Sequence, residues 1–363
     1  MPFLAYAARY WGWHARSIER PLIPLIRKLL EDFNLRASSY QVLHSRQSQS
    51  PQLSEAIFAA LPTGEGPLHV TAHWNLPETT AIYLEHSDPS CVDAQGWTPL
   101  HWACSKGSTL VREMLLERGA ALDIRDSHGW TPLFWASFSG DVEAVKSLLS
   151  RGADHLAKDI HSWSALQWAA SRGERRATVA QLVKHGADYL AKDEAGWQPL
   201  HLAIHSGCEP AVDVLIDAGA DIRATTAKWP SGGTKPTGLY AGDAWGGFPL
   251  HLAAMSGSFS VVEKLLAKGA DARANLSVQK DYCWQGHGPT PLHIALDTDT
   301  FYGRKGSALD AGRLKIAAML VEHGADVKGV ANRITLNDVP KFEGFEELWD
   351  SLRAGVTEDG EKI

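Results

Sequence analysis

Apolar residues along the chain follow helical spacing in short segments that are bounded by proline and glycine. Pro99 suits the first turn of a helix, where its missing N–H would have no partner, and Thr98 before it can cap that helix. A second apolar face has residues three and four positions apart and consists of Val111, Met114, Leu115 and Leu116. Gly119 then ends this segment, since glycine takes the left-handed conformation at little cost. The pattern predicts two short antiparallel helices.

This two-helix pattern recurs along the chain with a period of about 33 residues. Its Pro-Leu step lies at Pro67, Pro99, Pro132, Pro199, Pro249 and Pro291, with Ala165 in place of one proline. A Gly-Ala pair follows each later step, beginning at Gly119, Gly152, Gly186, Gly219, Gly269 and Gly324. Each helix pair leaves apolar faces on both sides, so the repeats are expected to be stable only when stacked on neighbours.

The sequence motif of the repeat resembles that of a known family. The segments Gly96-Trp-Thr-Pro-Leu-His101 and Gly196-Trp-Gln-Pro-Leu-His201 resemble the ankyrin repeat, whose pattern is Asp-x-x-Gly-x-Thr-Pro-Leu-His-x-Ala-Ala, followed by a helix ending in Leu-Leu and by Gly-Ala-Asp. The resemblance implies an all-α fold, an ankyrin-repeat solenoid of about seven helix-turn-helix units with helical caps at both ends. The expected repeats cover 63–329 and divide at 63–92, 93–125, 126–158, 159–192, 193–242, 243–284 and 285–329.

The two ends do not follow the repeat. Residues 1–62 are expected to form an N-terminal helical cap, and 330–363 a C-terminal cap and tail. The segment from Phe3 to Arg16 is similar in sequence to the linker helices that join the NACHT domain of fungal receptors to their ankyrin arrays. No Gly-x-x-x-x-Gly-Lys-Ser/Thr motif occurs in the chain, so the NACHT domain is absent and no NTPase activity is transferred. One interpretation is an adaptor that acts with a separate nucleotide-binding receptor protein.

Composition narrows the class of protein. With 44% apolar and 21% charged residues, the chain has the composition of a folded globular protein. The formal net charge of −7 disfavours nucleic acid as a partner. Four widely separated cysteines favour a reducing compartment, and no apolar run is long enough to span a bilayer. We therefore expect a monomer in the cytoplasm without membrane contact, and a nuclear location stays open.

Histidine is abundant, with 16 residues, but its placement points to structure. His69, His101, His201, His251 and His293 occupy the Pro-Leu-His position, which in ankyrin proteins makes structural hydrogen bonds between units. The chain has no His-Glu-x-x-His, no Gly-x-Ser-x-Gly and no clustered Cys and His. We predict no catalytic residue, no metal site and no cofactor.

The 14 tryptophans give the main functional signal. Trp102, Trp135 and Trp168 have the register of buried first-helix residues. Another set lies between the turn glycine and the threonine position, on the hairpins that face the concave groove in the ankyrin family, and comprises Trp97, Trp130, Trp163 and Trp197, with Trp245 nearby. Because exposed tryptophans are typical of interaction hot spots, we interpret this set as a recognition stripe. The alternative is a second structural ladder.

The favoured function is a non-catalytic scaffold or adaptor that binds a protein or peptide through the Trp-lined concave groove and the hairpin loops. The predicted binding residues are Trp97, Lys106, His128, Trp130, Phe138, His161, Trp163, Arg172, Glu194, Trp197, His205, Trp245 and Met255. Trp163, Glu194 and Trp197 raise the narrower hypothesis of a cage for methylated lysine.

An enzyme or small-molecule binder is the alternative function. Its pocket would be closed by insertions at 225–242, 276–284 and 298–312, where the repeat spacing lengthens. The residues that would line it are Trp229, Tyr240, Trp245, Tyr282, Trp284, His287, Asp297 and Asp299, with His287 and an aspartate as an acid–base pair.

Overall fold

The computed structural model describes residues 66–173, 175–226, 247–275, 290–296 and 311–326, besides the pair 23–24. Within these ranges the chain forms fourteen helices, and its only β-type pairing is an isolated antiparallel bridge between Lys158 and Ser164. The predicted all-α repeat architecture is confirmed. The predicted N- and C-terminal caps, the bulk of the three insertions and all residues proposed to line the alternative pocket lie outside the described residues.

The helices come in seven consecutive pairs. In chain order they are α1 (Pro67–Trp74), α2 (Pro77–Leu84), α3 (Pro99–Lys106), α4 (Thr109–Glu117), α5 (Pro132–Ser139), α6 (Val142–Ser150), α7 (Ala165–Ala170), α8 (Arg176–Lys184), α9 (Pro199–His205), α10 (Glu209–Asp217), α11 (Pro249–Ser256), α12 (Phe259–Ala267), α13 (Pro291–Leu296) and α14 (Ala311–Glu322). The odd-numbered member of each pair is called the first helix and the even-numbered member the second helix.

The caps of α3 show why the helices begin and end where they do. The Thr98 hydroxyl accepts the His101 N–H at 3.3 Å, and Pro99 occupies the first helical position. Gly107 ends α3 with a φ of 67°, a conformation that side chains with a Cβ avoid. Gly119, after α4, has a φ of 77°. Thus the capping residues predicted from the sequence act as expected.

The described residues divide into two compact units. The first comprises 66–169 and 180–188, and the second comprises 170–179 and 189–326, each with the gaps given above. In the first unit α1 packs on α3 and α3 on α5, while α2 packs on α4. In the second, α9 packs on α11 and α11 on α13, while α10 and α14 both pack on α12. Within each unit, like helices of successive repeats therefore stack on one another.

The apolar stripe of the second helices lies in the core. On α4, Val111, Leu115 and Leu116 are buried, and Met114 is half-buried at the edge of the stripe. The equivalents of the three buried residues on α12, Val261, Leu265 and Leu266, are buried as well. Burial of several aliphatic side chains per repeat, each contributing roughly 1.5–3 kcal/mol, is the main stabilising contribution that the sequence pattern encodes.

The sequence analysis did not predict that α4 carries a buried charged residue. Arg112 is only 1% exposed, and its Nη1 donates to Asp141 Oδ2 at 2.7 Å, while its Nε donates to Glu113 Oε1 at 3.2 Å. Burial would raise the pKa of Glu113, but hydrogen bonds from Arg151, Ser147 and Arg112 outweigh it, so that the pKa lies below its usual value. This network ties α4 to the start of α6.

The fourth repeat departs from the common pattern at two positions. Ser162 stands where the other hairpins have a turn glycine, and it keeps the left-handed conformation with a φ of 63°. Gln167 stands where histidine is usual, and its Oε1 accepts the Ser164 N–H at 2.9 Å. The amide oxygen thus replaces the ring nitrogen of histidine, and the geometry of the turn is maintained.

Candidate functional site

An aspartate holds each of three successive hairpins in the first unit. In the second repeat, the Asp93 N–H donates to the Trp97 carbonyl at 2.9 Å, and Asp93 Oδ1 accepts the Gln95 and Trp97 N–H groups, both at 2.9 Å. Asp126 and Asp159 bind their own hairpins in the same way. One carboxylate oxygen therefore fixes the turn in three successive repeats.

The other carboxylate oxygen binds tryptophan. Asp93 Oδ2 accepts the Trp102 indole N–H at 3.3 Å, and Asp126 Oδ2 accepts that of Trp135 at 3.0 Å. Asp159 Oδ2 accepts two indoles, those of Trp168 at 2.8 Å and of Trp130 at 3.1 Å. Since Trp130 belongs to the preceding hairpin, Asp159 joins two repeats.

The indoles of the first unit pack into one aromatic cluster. It comprises Trp97, Trp102, Trp130, Trp135, Phe138, Trp163 and Trp168. The ring centroids of Trp97 and Trp135 are 4.3 Å apart, and those of Trp130 and Trp168 are 4.7 Å apart. Each of these contacts joins a hairpin tryptophan to the first helix of the next repeat, so the cluster stabilises the stacking of repeats.

The hairpin tryptophans are therefore not the exposed stripe that the sequence suggested. Trp97 is 6% exposed, Trp130 9%, Trp163 8% and, in the second unit, Trp197 5%. The expectation of exposure is wrong because the register places these residues on the hairpins but does not reveal which side chains pack over them. For Trp97, Trp130 and Trp163 these are first-helix indoles. The hypothesis of a methylated-lysine cage stays a prediction.

Other predicted binding residues reach solvent. In the first unit Lys106, His128 and His161 are exposed and Phe138 is half-buried. In the second unit Glu194 and His205 are exposed, while Arg172 and Met255 are half-buried. Trp245 lies outside the described residues. The role of all these residues in binding stays a prediction.

Adjacent hairpins of the first unit are bonded to each other through their backbones. The Ser127 N–H donates to the Gln95 carbonyl at 2.9 Å, and the Ile160 N–H donates to the His128 carbonyl at 3.3 Å. Lys106 on α3 has its ammonium 5.8 Å from the centre of the Trp102 ring, within range of a cation–π contact. The exposed side chains are thus carried by backbone of fixed spacing.

Three of the five Pro-Leu-His histidines, His69, His101 and His201, make structural hydrogen bonds of the kind predicted for them. His101 Nδ1 accepts the Thr98 N–H at 3.0 Å, so Nε2 carries the proton and donates to the Trp130 carbonyl at 3.1 Å. His201 bonds the Ala224 carbonyl and His69 the Trp97 carbonyl, each at 3.1 Å. Burial lowers the pKa of His101 and of His201 to about 4 and outweighs the opposite effect of these hydrogen bonds.

These lowered pKa values predict a loss of stability in mild acid. An unfolded histidine takes up a proton near pH 6.5 but buried His101 only near pH 4, so the unfolded state binds more protons between these values. The free energy of unfolding should therefore fall as the pH falls from about 6.5 to about 4, by roughly 2–3 kcal/mol per such histidine. Urea unfolding at several pH values in this range measures the slope.

The variant His101→Gln isolates the contribution of one histidine, since glutamine already serves at position 167 of the same register. Its free energy of unfolding should depend less steeply on pH than that of the wild type. Parallel curves for the two proteins would show that His101 does not cause the acid sensitivity.

The sequence analysis passed over the hairpin aspartates. The signal was available, since each of Asp93, Asp126 and Asp159 precedes one tryptophan by four residues and another by nine. Within the described ranges, no group of three or more His, Cys, Asp or Glu side chains is placed to hold a metal ion. Likewise, none of the described helices has the length and apolar character needed to cross a membrane.

Comparison with known families agrees with this geometry. Residues 68–159 and 155–226 match the family model described as ankyrin repeats (3 copies), and 245–276 match the model described as ankyrin repeat. No curated protein matches the chain. The matched segments cover more than half of the sequence and coincide with the helix pairs and bonded hairpins, and the chain accordingly belongs to the ankyrin-repeat family.

Proposed function

We propose that this protein is a non-catalytic scaffold that binds a partner protein through its hairpins and the exposed side chains of its first helices. Ankyrin repeats generally mediate protein–protein interaction. The observation that supports this particular surface is the contrast between a buried aromatic layer and an exposed set of polar side chains above it. In the first unit these exposed side chains are Lys106, His128 and His161; in the second they are Glu194 and His205.

The buried tryptophans take part in this function by positioning exposed residues. A side chain on a fixed backbone loses less conformational entropy on binding than one on a loose loop. His128 shows the arrangement: its N–H donates to Asp126 Oδ1 at 2.9 Å, and its carbonyl accepts the Ile160 N–H of the next hairpin. The aromatic cluster thus supports the contact surface from beneath, and the partner is expected to contact the exposed residues and the outer part of Phe138.

The test is capture of partner proteins by the wild type and by surface variants. One variant changes His128 and His161 to Ala, and a second changes Glu194 and His205 to Ala, each within one compact unit. A matched control changes Lys184 and Lys268 to Ala; both are exposed and lie, respectively, on α8 and immediately after α12. We expect the control to retain a partner that at least one hairpin variant loses, while all proteins keep the same melting temperature.

Equal capture by every folded variant would contradict the proposal. Changing the four hairpin tryptophans would be a weaker test, because they are buried and their removal would unfold the repeats. The cytoplasmic location, the monomeric state and a separate nucleotide-binding receptor as partner stay predictions from the sequence.

A further inference from the structure

We propose that the turn between α7 and α8 binds a phosphate group carried by the partner protein. The surface concerned, here called the arginine turn, consists of Arg172, Arg175 and Arg176 and lies wholly in the second compact unit. The inference rests on the proposed function for the source of the phosphate, and it adds a binding site apart from the hairpins.

Arg175 has a buried donor that lacks an acceptor. Its side chain is half-buried, and its Nε–H group is shielded from solvent. Among the residues that the structure describes, no atom accepts a hydrogen bond from this group. Six other arginines donate to carbonyl or carboxylate oxygens, namely Arg112, Arg118, Arg125, Arg151, Arg223 and Arg273. Because a buried guanidinium N–H without an acceptor is costly, Arg175 is suited to receive its acceptor from a bound molecule.

A second guanidinium lies near Arg175. Arg172 is half-buried as well, and burial, together with the charge of Arg175, lowers the pKa of Arg172. Both side chains nevertheless keep their protons at neutral pH, so they repel each other. Residues 172–176 contain three arginines and one glutamate, Glu174. When Glu209, the acidic residue that begins α10 of the next repeat, is counted too, arginines still outnumber carboxylates.

The first turn of α8 supplies further donors. In the third repeat Asp141 precedes the second helix, and its Oδ1 accepts the Ala144 N–H at 2.9 Å. Arg175 precedes α8 in the same way, but a guanidinium has no acceptor and cannot cap the helix. The Thr178 hydroxyl, on the first turn of α8, is 1% exposed and has no hydrogen-bond partner within the described ranges. Uncapped N–H groups at a helix start favour a bound anion.

A phosphate monoester matches these donors better than a carboxylate does. It offers three terminal oxygens and a charge of roughly −1.5 to −2, whereas a carboxylate offers two oxygens and a single charge. The planar guanidinium group binds phosphate oxygens in pairs. The net charge of −7 argues against a nucleic acid as the source. Since free phosphate has the same chemistry, the experiment has to separate it from a phosphorylated residue.

Calorimetric titration of the full chain tests the arginine turn. The probes are inorganic phosphate and three alanine-flanked pentapeptides with blocked ends, whose central residue is phosphoserine, serine or glutamate. We expect the phosphoserine peptide to bind at least tenfold more tightly than the other two peptides, and Arg175→Gln to weaken its binding at least tenfold. Arg223→Gln is the matched control, because Arg223 is exposed in the same unit and donates to the Gly269 carbonyl; it should change the affinity less than twofold.

Thermal melting distinguishes phosphate binding from a structural role of Arg175. Without phosphate, Arg175→Gln should melt at the same temperature as the wild type or higher, because it removes a cation whose Nε–H has no acceptor in the described residues. The phosphoserine peptide should stabilise the wild type and Arg223→Gln but not Arg175→Gln. A lower melting temperature of Arg175→Gln without phosphate would overturn the inference unless Arg172→Gln, at the second guanidinium, keeps its stability and loses affinity at least fivefold.

Further results would contradict the phosphate site. Equal binding of the glutamate and phosphoserine peptides, or equal binding by the wild type and Arg175→Gln, would overturn it. Binding of inorganic phosphate without binding of the phosphoserine peptide would overturn the partner protein as the source. In partner capture, phosphatase treatment of the lysate should remove a partner that also requires Arg175. If capture requires the hairpin residues but neither phosphorylation nor Arg175, the proposed function stands while this inference fails.

Discussion

Replacing Asp159 with alanine should reduce the free energy of unfolding by about 3–5 kcal/mol, a large part of what a domain possesses. Asp159 accepts four N–H groups, and its bonds to the Trp163 backbone and to the Trp130 indole are buried, where water cannot replace the carboxylate. A buried donor without a partner costs about 1–3 kcal/mol. Urea unfolding followed by tryptophan fluorescence measures the change.

Two further variants distinguish lost hydrogen bonds from lost charge. Asp159→Asn can keep the Oδ1 acceptor, but its NH2 group then faces two indole donors, so we expect an intermediate loss. Asp154→Ala is the matched control, because this exposed aspartate accepts only the Leu156 N–H in its own turn and should cost less than about 1 kcal/mol. If Asp154→Ala destabilised the protein as much as Asp159→Ala, the indole bonds would not be the cause.

Removing Arg112 should give the second large effect. Arg112→Met keeps the apolar stem but leaves Asp141 without its cation, while Glu113 retains its ion pair with Arg151. Breaking a buried ion pair costs about 3–5 kcal/mol, and we expect about 3 kcal/mol here because the Asp141 and Glu113 side chains, 18% and 35% exposed, can regain some water. The same unfolding measurement applies.

A double variant separates the cost of leaving the Asp141 carboxylate without its cation from the contribution of the Arg112–Asp141 ion pair to stability. Asp141 also caps α6, since its Oδ1 accepts the Ala144 N–H at 2.9 Å, and asparagine can keep this cap. Arg112→Met with Asp141→Asn should therefore recover more than half of the stability that Arg112→Met loses. No recovery would mean that Arg112 acts through its packing and not through its charge.

The sequence predicted the repeat architecture and much of its detail. Pro99, Thr98 and Gly119 act locally, through backbone angles and bonds to near neighbours, so their roles can be inferred without knowledge of the tertiary fold. His101 was also predicted, because it occupies the same position in repeat after repeat. The recurring motif residues resembled the ankyrin repeat, and the family models confirmed this resemblance.

What the sequence did not reveal concerns side-chain burial between repeats. Trp97 and Trp130 have a register typical of the groove-facing hairpins, yet Trp135 and Trp168 of the following repeats pack against them. Likewise, a charged side chain such as Arg112 is typical of the surface, but Asp141 of the next repeat forms an ion pair with it and so allows its burial.

The division between the two kinds of information has a physical reason. Helix spacing, caps and turn glycines depend on residues a few positions apart, and the amino-acid sequence by itself determined them and hence the family. The exposure of a side chain depends on what the next repeat places over it, about 33 residues further along the chain. Only the tertiary structure could decide that the hairpin tryptophans are buried while Lys106, His128 and His161 are exposed.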